Sequence, residues 1–214
     1  MSALLNLTSK FNSTAIPEKS SRVQFKNEEA AFSIAKGYFK EYLKKEISCF
    51  AFSSVAYKNS QQKAILAVGC YFSQVQGQRT SIVTNNLDGV FSNIVKNSLE
   101  VEILSKEGHI ISGYQFNGMY IFDLEGILDL SREEKIPLDT LLETIKEYSD
   151  VSLVDLPDLE TIKEYLSLYK PLLNEVESLS VVYFEDNENQ IVEDVYTQFD
   201  NNGICLKGGL IQMP

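Results

Sequence analysis

Between Ile47 and Ile211, short apolar runs rich in β-formers alternate with longer segments whose apolar residues recur every three or four positions. That alternation constrains the fold more than any other feature, because strands joined by helix-length crossovers pair in parallel and need cover on both faces. The runs are Ile47 to Phe52, Arg79 to Asn85, Asp150 to Pro157, Ser178 to Phe184 and Ile204 to Ile211. Helical spacing marks Gln61 to Val75, Leu138 to Tyr148, Ile162 to Val176 and Gln190 to Asn201, with Pro171 expected to interrupt or re-angle the third. A further helix, Lys26 to Lys45, precedes the first strand. Its apolar face holds Ala31, Phe32, Ala35, Tyr38, Phe39 and Tyr42 or Leu43, with acids at its start and lysines at its end. A short helix at Val90 to Asn97 and three extended pieces, VEILS, HIISGYQF and MYIFDL, fill the middle. The expected fold class is α/β, a mostly parallel sheet with helices on both faces. It forms one domain over residues 25–214, behind a polar, serine-rich leader, residues 1–24, expected to be loosely held.

Charge and composition remove several functions. The 214 residues carry 19 Lys+Arg against 30 Asp+Glu, a net charge of −11, and the arginines are only Arg22, Arg79 and Arg132. A broad nucleic-acid-binding face and docking on anionic lipid by charge alone are both excluded. No apolar run approaches the ~20 residues that span a bilayer, so no direct membrane insertion is expected. The N-terminus has no basic start, long apolar stretch or cleavage site, which places the chain in the cytoplasm. Cys49, Cys70 and Cys205 stand singly in apolar stretches and His109 is the one histidine. Buried thiols and no metal site are expected.

In such a sheet ligands bind beyond the C-terminal ends of the strands. The loop after CFAF reads SSVAYKNSQQKA, Ser53 to Ala64, and opens the next helix. A phosphate cradle there uses glycines to converge backbone N–H groups, a lysine for the outer phosphates and a Ser or Thr hydroxyl for magnesium. This loop has no glycine and no Gly-Lys-Ser/Thr. The strand SIVTNN offers neutral Thr84 and Asn86, with Asp88 the nearest carboxylate, whereas SLVDLPDL ends in Asp155.

FAFSSVAYKNSQQKAILAVGCYFSQVQGQRTSIVTNN, followed by YSDVSLVDLPDL, SLSVVYF and NNGICLKGGLIQ, resembles the bacterial tyrosine kinase and capsular-polysaccharide ATPase family of P-loop proteins, related to the MinD and ParA types. The resemblance covers residues 25 to 212 and implies a three-layer P-loop fold. It places the nucleotide site on Ser60, Gln61, Gln62, Lys63 and Asp155. The lysine slot falls on Gln61 or Gln62, and on Lys63 if the loop has slipped. Asp155 then stands where that family's acid joins the magnesium shell, while its structural alternative is an N-cap or turn residue. Thr84 and Asn86 fall where further acids are expected. The arginine signature that serves ring assembly in that family has no counterpart in Glu28 to Phe32.

The combined reading is a pseudo-ATPase or pseudokinase: an interaction module without catalytic residues or cofactor, in exopolysaccharide or envelope polysaccharide biosynthesis or export. Its partner would be a membrane-anchored chain-length regulator or an export complex, which would hold it at the inner face of the membrane. One alternative is an ATPase or protein-tyrosine kinase using ATP and magnesium with Lys58 or Lys63 in a rebuilt loop. A further alternative is a MinD/ParA-like positioning protein.

Overall fold

The structure is a computed structural model and describes residues 28–44, 47–55, 59–183, 189–204 and 206–212. The leader and Cys205 lie outside the described residues, as do Tyr57 and Lys58 of the loop. The elements run in order: α1 (Glu28–Leu43), β1 (Cys49–Ser54), α2 (Asn59–Cys70) with a π-helical turn at Tyr71–Val75, β2 (Thr80–Thr84), α3 (Ser92–Val95), β3 (Leu99–Leu104), β4 (Ile110–Phe116) and β5 (Met119–Asp123). Then follow α4 (Leu124–Glu134), α5 (Leu138–Tyr148), β6 (Val151–Asp155), α6 (Leu159–Glu164), α7 (Leu166–Glu175), β7 (Ser178–Tyr183), α8 (Asn189–Asn201) and β8 (Lys207–Gln212).

These strands form one eight-stranded sheet in the order β3-β4-β5-β2-β6-β1-β7-β8. The ladders from β5 through β8 are parallel; β3 and β4 are joined to them antiparallel. Strand periodicity then separates two cores. Cys49 and Ala51 of β1 and Val154 of β6 face one cluster, under α4 to α8. Phe50 and Phe52 of β1, with Val151 and Leu153 of β6, face the other, under α1, α2 and α3. Because β1 and β6 are central and covered on both sides, every residue of each is buried, Ser53, Ser54, Ser152 and Asp155 included. Arg79 and Asp150 brace the ends of β2 and β6 away from the candidate site. Asp150 N–H donates to Arg79 O at 2.7 Å, Arg79 N–H donates to Asp150 Oδ2 at 2.9 Å, and the guanidinium holds Oδ1 at 2.8 Å. The guanidinium hydrogen bond keeps the Asp150 carboxyl below its usual range.

Most sequence expectations hold. Leu138 to Tyr148 is helical with those bounds, and the three middle pieces are strands. Two differ. Residues 159–175 break at Tyr165 (φ −110°, ψ 35°), whereas Pro171 sits inside α7, where it removes one backbone donor without ending the helix. Residues 124–134, to which no element beyond the extended MYIFDL is assigned, form α4. Its apolar Leu124, Ile127 and Leu128 are buried, and Asp123 caps its first turn by accepting from Glu125 N–H.

Candidate functional site

β1 and β6 are neighbours, and their register sets Phe52 beside Asp155 at the C-terminal ends of both strands. The chain leaves β1 through the loop and returns as α2, so the first turn of α2 lies over that pair. Here Gln61 and Gln62 are fully buried, Ser60 is half-buried and Lys63 is exposed. Four of the five residues singled out from the sequence therefore begin one helix, and the fifth lies across the sheet end from them.

The carboxamide of Gln61 fills the crevice. Its Nε2 donates to Asp155 Oδ1 at 2.6 Å, to Leu156 O at 2.7 Å and to Phe52 O at 3.1 Å. Three oxygen neighbours fix which end of the amide is nitrogen, and two hydrogens shared among three acceptors make a tight, bifurcated arrangement. The other Asp155 oxygen accepts from Thr84 Oγ1 at 2.6 Å and from Gln62 Nε2 at 3.5 Å. Gln62 also reaches the loop after β2. Its Nε2 donates to Asn86 O, and its Oε1 accepts from Val90 N–H, both at 3.4 Å. Asn86 N–H in turn donates to Thr84 Oγ1 at 3.2 Å. Gly89 lies so close that a Cβ there would stand 2.8 Å from Gln62 Oε1.

Asp155 is consequently a fully buried acceptor at the centre of a network of neutral donors. The alternative reading of this residue as an N-cap is corrected by the structure: Asp158 caps α6, its side chain accepting from Thr161 N–H. Thr84 and Asn86, which the resemblance places where further acids are expected, act as donor and link. Lys63 stands outside the network. Ser53 Oγ donates to Pro157 O at 2.6 Å, tying the start of the loop to the end of β6.

These residues do not fit a magnesium-bound nucleoside triphosphate. Among the described side chains, Gln61 Nε2 and the Thr84 hydroxyl are committed to Asp155 and to strand carbonyls and offer no donor to such a ligand. Gln61 Oε1 is buried without a partner, and a bare acceptor repels an anion. Both Asp155 oxygens accept protein donors, and no group of three or more His, Cys, Asp or Glu arranged to hold a metal occurs among the described residues. A hard divalent cation wants several anionic or carbonyl oxygens.

Burial pushes the Cys49 thiol up to about 12, so no thiolate is available for nucleophilic chemistry. Cys70 is buried as well. Burial likewise raises Tyr38 to about 12, its hydroxyl donating to Ser180 Oγ at 2.5 Å. No described helix is long and apolar enough to cross a membrane.

The fold defined by this sheet and its flanking helices is that of bacterial tyrosine kinase domains. The kinase domain of the Escherichia coli tyrosine kinase ETK matches with a TM-score of 0.62 and 14% identity, over 86% of this chain and 74% of that one. The chimerical protein CapA2B2 matches at 0.56 and 16% identity, over 84% of each chain. The kinase domain of VpsO matches at 0.56 and 13% identity, over 87% of this chain and 96% of that one. No protein-family model matches the chain, and no curated protein sequence matches it.

Proposed function

We propose that this chain is a non-catalytic relative of those kinase domains, a pseudo-ATPase that works as an interaction module. The observation behind the proposal is the closure of the crevice by Gln61, whose one amide group takes the carboxylate of Asp155 and the carbonyls of Phe52 and Leu156 together. Phosphoryl transfer depends on positioning and on neutralising charge. A site that offers an uncharged amide in place of a lysine, and a carboxylate already saturated with donors, supplies neither. A rebuilt loop using Lys63 would need that exposed side chain to displace two buried glutamines. Lys58 lies outside the described residues.

Titration of the full chain with ATP and magnesium by calorimetry should give no binding heat up to millimolar nucleotide, and no phosphate should be released. Ligand at 100 times its dissociation constant would stabilise the fold by about 2.7 kcal/mol, so an unmoved melting temperature is an independent check. A micromolar dissociation constant would refute the reading.

The process served is proposed from the resemblance in sequence order and the shared fold: assembly or export of an exopolysaccharide or other envelope polysaccharide, with a membrane-anchored chain-length regulator or export complex as partner. Deleting the gene should change the amount or length distribution of the cell's polysaccharide on a gel. Unchanged polymer would remove this assignment while leaving the nucleotide question as the titration decides it.

A further inference from the structure

β3 ends the sheet. Its inner side pairs with β4 through six consecutive positions, from Leu99 opposite Gln115 to Leu104 opposite Ile110, and among the described residues no strand pairs with its outer side. Natural edge strands are blunted by a proline, by charged side chains and above all lysine, by a bulge or by a cover, because their free N–H and C=O groups template another strand. The β3 sequence LEVEIL holds no proline and no lysine, its charges are Glu100 and Glu102 alone, and its ladder skips no residue. Large apolar side chains stay in solvent along it: Leu99 is 69% exposed, Leu104 52%, and Ile110, opposite Leu104, 52%.

The two faces of this edge differ in chemistry. Leu99, Val101 and Ile103 alternate onto the face that carries the Ile103 and Ile111 core, while Glu100, Glu102 and Leu104, all exposed, alternate onto the other. Beside the hairpin lies a groove of about 720 Å³, whose lining includes Leu87, Glu100, Glu102, Asp123 and Leu130. The edge therefore offers a backbone ladder, an apolar row and an acidic row. A second copy of this chain is a poor occupant. Antiparallel pairing of β3 with itself about Val101 sets Glu100 opposite Glu102 twice, and pairing about Glu102 sets that residue against itself. Like charges directly opposite destabilise a ladder, and each copy brings a net charge of −11.

We propose that the outer edge of β3 binds an extended polypeptide of a different protein by strand addition, with lysine or arginine at alternate positions and apolar residues between them. Main-chain hydrogen bonds to β3 supply affinity. Cations of the added strand lie beside Glu100 and Glu102, and its apolar residues lie beside Leu99 and Val101, which fixes its register. The surface lies outside the Gln61–Asp155 network and does not depend on whether that network excludes nucleotide.

The test titrates the full chain with a fluorescent peptide of alternating lysine and valine, by anisotropy, beside three control peptides. Two have alternate backbone nitrogens methylated, one along each edge, so that charge is kept and the ladder of that edge is lost. The third carries glutamate in place of lysine. The unmodified peptide should bind, slow amide exchange in residues 99–104, and bind the Glu100→Lys/Glu102→Lys variant at least tenfold more weakly. The peptide methylated on the edge that meets β3 and the glutamate peptide should lose at least tenfold too, while the peptide methylated on the opposite edge should keep its binding. The variant changes only exposed side chains, and its circular dichroism should match that of the parent. Equal binding of the methylated peptides would reduce the effect to charge attraction and overturn strand addition. Absence of binding, or undiminished binding to the variant, would overturn the proposal. A dimer that the peptide dissociates would give the edge to a second copy instead.

Discussion

Gln61→Leu should lower the unfolding free energy by about 3–5 kcal/mol in urea denaturation at neutral pH. Leucine is similar in size and a good helix former, so neither a large cavity nor a propensity change accounts for a loss of that size. The cause is the removal of the Nε2 group that serves Asp155 Oδ1 and Leu156 O, while Phe52 O keeps the Leu156 N–H at 2.9 Å. Asp155 is fully buried, so water does not take over its side of the bargain. Gln61→Glu should be worse, since it presses a second carboxylate against Asp155 and two carbonyl oxygens. In a cycle with Asp155→Leu, the double variant should lose at least about 1.5 kcal/mol less than the sum of the single losses, because the pair then leaves together. A Gln61→Leu loss below about 1 kcal/mol would mean that the carboxamide does not hold α2 on the strand ends.

The same glutamine marks how far the sequence can be read. The loop's composition states which groups a phosphate site would lack. It does not state that two carboxamides fold back to replace the ligand, because Gln61 and Asp155 are 94 positions apart and only the β1–β6 register joins them. Asp155 and Asp158 both precede a helix, and composition alone gives no reason to assign the cap to the second. Local signals serve better where a single element decides the outcome. Leu138 to Tyr148 has its apolar residues on one face and needs no distant partner to be recognised. The turn Asn117-Gly118, with φ of 46° and 81°, carries the strongest short hairpin signal and fixes β4 antiparallel to β5. That signal, taken with the lysine-free LEVEIL, is what would have located the exposed edge. α4 escapes because its capping Asp123 closes a strand-like MYIFD, so helix and strand share a boundary with no loop between them.

Phe72→Ala should cost about 3–5 kcal/mol and should loosen α1 more than the sheet. The Phe72 ring is fully buried, with centroids 5.4 Å from Phe39, 5.6 Å from Tyr42 and 6.4 Å from Phe50. The first two belong to α1 and the third to β1, so one side chain joins a helix that precedes the sheet to a central strand. Its position depends on the π turn that extends α2. Gln76 N–H bonds Tyr71 O across five residues, and Gln78 N–H bonds Phe72 O. Consecutive Tyr71 and Phe72 are both buried there, at 8% and 0% exposure, which continues the buried run from Ala64 to Cys70 of α2. With the ring gone, α1 keeps Tyr38 against Phe50 and Phe32 against Tyr71. Native-state hydrogen exchange should then report opening of residues 28–43 at a lower free energy than that of β1 and β6. Phe72→Leu, which refills most of the volume, should recover at least half of the loss. If α1 instead opened only together with the sheet, the helix would be part of one cooperative unit with the core rather than an element pinned by this ring.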